Sequence, residues 1–175
     1  LIDSKTEFIN PHTAKFYPRD RAQMTRYVKQ KGIEVESVPN QKITLEHTTE
    51  RGGLLTMPGV LAMNKGPVIR GTWVLERILG DHLGDPPADV GVVAPNRTGE
   101  KLSFRERCEE HRSTPNCALC HDRIDPLGFA MQRYNEQGGF IADKTKAPVE
   151  SDGKKKKNKG ETGPTEALDT SGQLP

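Results

Sequence analysis

Apolar residues are sparse along this chain, and the densest gathering lies between positions 51 and 80. Leu54, Leu55, Met57, Val60, Leu61 and Met63 predict one buried helix there. Val68, Ile69, Trp73, Val74, Leu75, Ile78 and Leu79 predict a second. Within it, positions 69, 73, 74 and 78 recur at helical period and mark a stripe facing a core. Pro67 stands just before this second helix, where proline's missing N–H costs nothing, and Gly80 is its stop.

The remaining elements rest on punctuation more than on periodicity. Asp20 is placed to cap a helix over 21–31, ended by Gly32. Ile43 and Leu45 alternate with polar neighbours and predict a strand over 42–48. Residues 81–99, with Asp85-Pro86-Pro87 and Ala94 through Gly99, form a connector in extended and turn geometry. Ser103, followed three residues later by Glu106, has the pattern of a capping box. It predicts a helix through Glu110 or Arg112, which Pro115 stops. Asp125-Pro126 opens another, over 127–137, closed by Gly138-Gly139. From residue 143 the chain is polar and irregular, and the run Lys154 to Lys157 fits a solvated loop.

Composition narrows the class. Of 175 residues, 33% are hydrophobic and 5% aromatic, and the mean hydropathy is −0.72. A chain this polar buries little apolar surface per residue, so a large apolar cofactor would help complete its core. The formal net charge of +2 gives no case for a nucleic-acid partner. No stretch reaches the roughly 18 apolar residues that a membrane span requires. The opening Leu1-Ile2-Asp3-Ser4-Lys5-Thr6-Glu7 is not a signal peptide, and the chain lacks an initiator methionine. It therefore reads as a mature or excised piece.

One segment carries sharp chemistry: Cys117-Ala118-Leu119-Cys120-His121. That order is the attachment signature of c-type haem. Two thiols three positions apart add to the two vinyl groups of one porphyrin edge, and His121 supplies the proximal imidazole to iron. Its other ring nitrogen needs a carbonyl or carboxylate to fix its orientation. Arg112 and Arg123 are candidates for a propionate, and Phe129 for packing on the macrocycle. For the sixth position the candidates are Met63, Met57 and His111, or the site is open, as in an oxidase or peroxidase; a thioether would raise the potential. The competing reading is a Cys₃His zinc site from Cys108, His111, Cys117 and Cys120, which leaves His121 without a role. No acid–base constellation marks the chain as an enzyme.

Three blocks carry a resemblance. They are Arg51-Gly52-Gly53-Leu54-Leu55-Thr56, the run from Pro67 to Glu76, and the run from His111 through the haem motif to Asp125-Pro126-Leu127-Gly128-Phe129-Ala130. Together they resemble the large multidomain c-type cytochromes of planctomycete type, over roughly residues 45–142. Asn64-Lys65-Gly66 is shorter than the matching stretch usual in that family, and the lysine-rich insert is unusual for it. The resemblance implies a mainly α-helical, cytochrome-c-like haem module over 41–142, with irregular Pro/Gly-rich loops. Residues 1–40 would close a preceding domain, and 143–175 would form a polar loop and the start of a following one. It further implies one covalent haem c and electron transfer to a redox partner or an adjacent domain of the same protein. Its setting would be periplasmic or otherwise extracytoplasmic, where haem c is attached in bacteria. An apolar residue is usual in that family at the position of Cys108, which favours haem over zinc.

Overall fold

A computed structural model describes residues 2–32, 39–86 and 93–142. Two short strands, β1 (Thr6–Ile9) and β2 (Gln41–Thr44), flank helix α1 (Ala22–Lys31). Then come α2 (Pro58–Met63), α3 (Pro67–Trp73), α4 (Phe104–Arg112) and α5 (Pro115–Phe129). The chain is mainly helical, as the apolar pattern predicts.

The first core forms under the β-hairpin. β1 and β2 pair antiparallel, with Thr6 opposite Thr44 and Ile9 opposite Gln41, so the ladder joins residues on either side of position 40. Ile9, Ala14, Tyr17, Met24, Ile43 and Leu45 close beneath it. Asp20 does not cap α1, as its position before that helix suggests; its carboxylate turns to the chain after β2. There it accepts the amides of Glu46 and His47 at 3.2 Å and of Thr48 at 2.9 Å. Burial opposes its ionisation, but these hydrogen bonds prevail and hold the carboxyl below its usual range. Gly32, at φ 60°, ends α1 in the left-handed region open to glycine.

The second core contains Leu61, Val74, Met131 and Tyr134, bordered by Leu55, Trp73, Ile78, Leu127 and Phe140. Its framework is the crossing of α3 and α5, made backbone on backbone. A methyl group at Gly71 would lie 2.0 Å from the Ile124 carbonyl oxygen, and one at Gly128 would lie 2.1 Å from that of Pro67. Beside this contact the Arg70 guanidinium is fully buried. It donates to five carbonyls: Leu61, Asn64, Met131, Tyr134 and Asn135. All five N–H groups of the fork are thereby satisfied.

Arg51 links the two cores. Its guanidinium donates to the carbonyls of Thr56 and Gly138 and lies 5.8 Å from the Tyr17 ring centre and 5.0 Å from that of Tyr134. The Tyr134 hydroxyl donates to the Glu50 carbonyl. Beneath the hairpin, Glu7 is buried; burial pushes its carboxyl up, against the Arg51 charge and a hydrogen bond with Tyr17.

Several boundaries differ from the sequence expectation. The apolar run 54–63 divides into a 3₁₀ turn (Leu54–Thr56) and α2, because Pro58 opens a new helix as its first residue. The second apolar helix runs as α3 and then as a π turn over Val74–Ile78. The Leu79 amide reaches back five residues to the Val74 carbonyl, which shifts the helical register by one position. Val74 and Leu75 are buried, whereas Ile69 is exposed. Pro115 begins α5 instead of merely stopping α4, and Pro126 sits inside α5. No helix continues to 137. The chain turns at 130–134, Tyr134 pairs with Phe140 around Gly138, and the Met131, Tyr134 and Asn135 carbonyls accept from Arg70. The expected insert and following domain at 143–175, with Lys154 to Lys157, lie outside the described residues.

Two outcomes follow for stability. Gly128→Ala must push α3 from α5 and will cost about 1–3 kcal/mol. Gly59→Ala, where a methyl meets nothing within 4 Å, will be neutral or gain up to about 1 kcal/mol; thermal melts of the two variants check the contrast. Asp20 has a lowered folded pKa, so its contribution is full above its unfolded value of about 3.9 and fades as pH falls through the folded one. Asp20→Asn will therefore lose on the order of 1.5–3 kcal/mol at neutral pH, and the difference from the parent will close in acid. Urea titrations across that range measure it.

Candidate functional site

The Cys-x-x-Cys-His segment lies within α5, whose start is set by Pro115 at the first helical position. In a helix, residues three and four apart share a face. Cys117, Cys120 and His121 therefore lie along one side of α5, each partly buried, while Leu119 points away into solvent. The three cysteines are free thiols.

One turn further along α5, Asp125 meets His121. The His121 Nδ1 lies 2.9 Å from Asp125 Oδ1, and Asp125 is 1% exposed. With Nδ1 donating to this carboxylate, the imidazole is oriented and Nε2 is left as its free donor atom. The other carboxylate oxygen, Oδ2, is buried and has no hydrogen-bond partner among the described residues. Arg112 of α4 approaches it to 3.9 Å and Asp122 to 3.5 Å. Sequence reasoning misses Asp125 because Asp125-Pro126 reads as a helix start. The signal was its spacing of four from His121, visible only once both residues are placed in one helix.

α4 presses on the same region. Its start is the capping box read from sequence: the Ser103 hydroxyl accepts the Glu106 amide at 3.3 Å, and Glu106 accepts the Ser103 amide at 2.6 Å. At its other end the His111 ring meets the His121 ring edge to face, centroids 4.8 Å apart. Burial and the neighbouring His121 hold the His111 imidazole below its ordinary value, against the pull of Asp125. Cys108 is wholly buried, and burial followed by the Asp125 charge pushes its thiol up to about 12.

The other expected contacts resolve differently. Arg112 pairs with Asp122 and Asp125, and Arg123 with Asp81. Phe129 is buried, edge-on to Phe104 at 6.4 Å and beneath the Arg105 guanidinium at 4.3 Å. Gly128 admits Pro67 of α3. Met63 is 82% exposed at the end of α2, and Met57 is partly buried just before it. Of the residues of the zinc reading, Cys108 is wholly buried and Cys117 and Cys120 are partly buried. Among the described residues no group of three or more His, Cys, Asp or Glu side chains is arranged to hold a metal ion.

Comparison with known families settles the wider class. The sequence model of the family described as "PSCyt3: Protein of unknown function (DUF1588)" matches residues 51–144, more than half of the chain. The chain belongs to the PSCyt3 family. This is a planctomycete cytochrome-type domain of unknown function. No curated protein and no solved structure matches the chain. In this PSCyt3 domain the matched segment begins at Arg51 and encloses α2 through α5, with the whole Cys-x-x-Cys-His face. No helix among the described residues is long and apolar enough to cross a membrane.

The burial difference among the thiols predicts their reactivity. In the folded protein without cofactor, iodoacetamide at mildly alkaline pH will alkylate Cys117 and Cys120 and spare Cys108, since thiolate is the nucleophile. Cys108 will react only after denaturant is added. Mass spectrometry of the two samples checks the sites modified.

Proposed function

We propose that this PSCyt3 domain carries one covalent haem c and serves one-electron transfer within a multidomain exported cytochrome. Cys117 and Cys120 would hold the porphyrin by thioethers, and His121 would ligate iron from the proximal side. The observation that carries this reading is the His121–Asp125 pair on the thiol-bearing face of α5. Two accessible thiols one helical turn apart, beside an imidazole oriented through Nδ1, are the donor set that a covalent haem needs. The low apolar content fits as well, because the cofactor adds a large apolar body. When bound, the haem supplies a reversible one-electron iron couple; the chain supplies orientation and a fixed charge beside the ligand.

A second axial ligand from this chain would be Met63, whose thioether is exposed, Met57 before it, or His111, whose ring meets that of His121. Attachment of haem c outside the cytoplasm argues for a periplasmic or other extracytoplasmic setting. Electrons would pass to a redox partner or to a neighbouring domain of the same protein.

The test is expression with haem-attachment machinery, followed by denaturation and acid–acetone extraction. The parent will keep its visible band. Cys117→Ala or Cys120→Ala will weaken retention, and the double variant will abolish it. Cys108→Ala will leave haem content unchanged. Covalent haem retained by the double variant, or none in the parent, overturns the reading.

A further inference from the structure

We infer that Asp125 is a positioning residue that lends the proximal imidazole anionic character, and so favours the ferric state of the bound cofactor; this rests on the haem reading above. Three observations converge. The acceptor of the His121 Nδ1 proton is a carboxylate at 2.9 Å, not a neutral carbonyl. That carboxylate is 1% exposed, so water does not dissipate its charge. Among the described residues its second oxygen is buried with no hydrogen-bond partner, and the Arg112 guanidinium stands 3.9 Å from it. Most of the carboxylate's basicity is thus directed at one proton. An imidazole that donates to so strong an acceptor becomes a stronger electron donor through Nε2. A stronger donor stabilises ferric over ferrous iron, and second-shell hydrogen bonding is one of the levers by which a protein sets its haem's potential. His111, edge-on to the same ring, helps close the pair off from solvent.

The helix enforces this pairing. Positions 121 and 125 are one turn apart on α5, so the acceptor follows the ligand's own backbone. Asp125 is adjacent to Ile124, whose carbonyl faces Gly71 of α3, so the acceptor is anchored at the crossing of the two helices.

The experiment uses the haem-loaded protein and two readouts. Asp125→Asn keeps size and an acceptor oxygen but removes the charge. Its midpoint potential will rise, and the iron–imidazole stretch in resonance Raman, recorded after photolysis of the ferrous carbon monoxide adduct, will move to lower frequency. Asp125→Glu will restore part of both shifts. Arg112→Gln removes the cation and will move the stretch the other way. The Raman shift separates an effect through His121 from the simple loss of a nearby charge, which moves the potential alone. Unchanged stretching frequency in Asp125→Asn, with haem retained, overturns the inference. If that variant loses its haem, Arg112→Gln decides: an unmoved stretch there also overturns it. A parent protein without covalent haem would instead sink the underlying reading, so the two failures are distinguishable.

Discussion

Everything at the motif depends on two helices touching through glycine. Gly71 of α3 and Gly128 of α5 each meet the other helix's backbone at a distance that excludes even a methyl group. Such contact leaves little freedom in how α5 lies, because packed interiors do not yield smoothly. The cysteines, His121 and Asp125 all ride on α5, so the crossing fixes where their shared face points. Arg70, adjacent to Gly71, extends the control past the end of α5. Its five carbonyl acceptors lie in the last turn of α2, just after that helix and in the turn after α5, which fastens these segments to α3. A buried cation is costly unless every donor is used, and here each is.

The motif face is then completed by a helix from a different part of the core. α4 starts at a locally encoded cap and ends with His111 and Arg112 beside His121 and Asp125. One helix thus carries Cys117, Cys120 and His121, while the other supplies the flanking ring and the countercharge. The partner of the His121 Nδ1 is internal to α5, which keeps the imidazole's orientation independent of how tightly α4 docks.

How far the sequence told this in advance depends on how local each feature is. The capping box at Ser103 and Glu106 and the end of α1 at Gly32 rest on neighbours a few positions apart, and they were legible. The apolar run 54–79 was read as buried, yet Met63, Ile69 and Leu79 are exposed and only Leu61, Val74 and Leu75 of its predicted core are buried. The π turn at 74–78 was not legible, because its extra residue is chosen by packing and leaves the apolar pattern almost unchanged. The helix expected to reach 137 ends at Phe129, and the turn that replaces it offers its carbonyls to Arg70, more than 60 residues away. Asp20 looked like a helix cap and instead organises the chain after β2. At the site, the five-residue motif was plain. The partner of its histidine was hidden by a proline that signals a helix start yet lies inside α5.

Arg51 stands where two boundaries fail to coincide. The family's shared segment opens at this residue, but the environment that makes its burial tolerable comes from both sides of that opening. A segment excised there would keep the Thr56 and Gly138 acceptors. It would lose the Tyr17 face and the Glu7 charge, and leave a stranded cation on a newly bared surface. The packing around this one guanidinium therefore reaches beyond the matched segment, into the chain that precedes it.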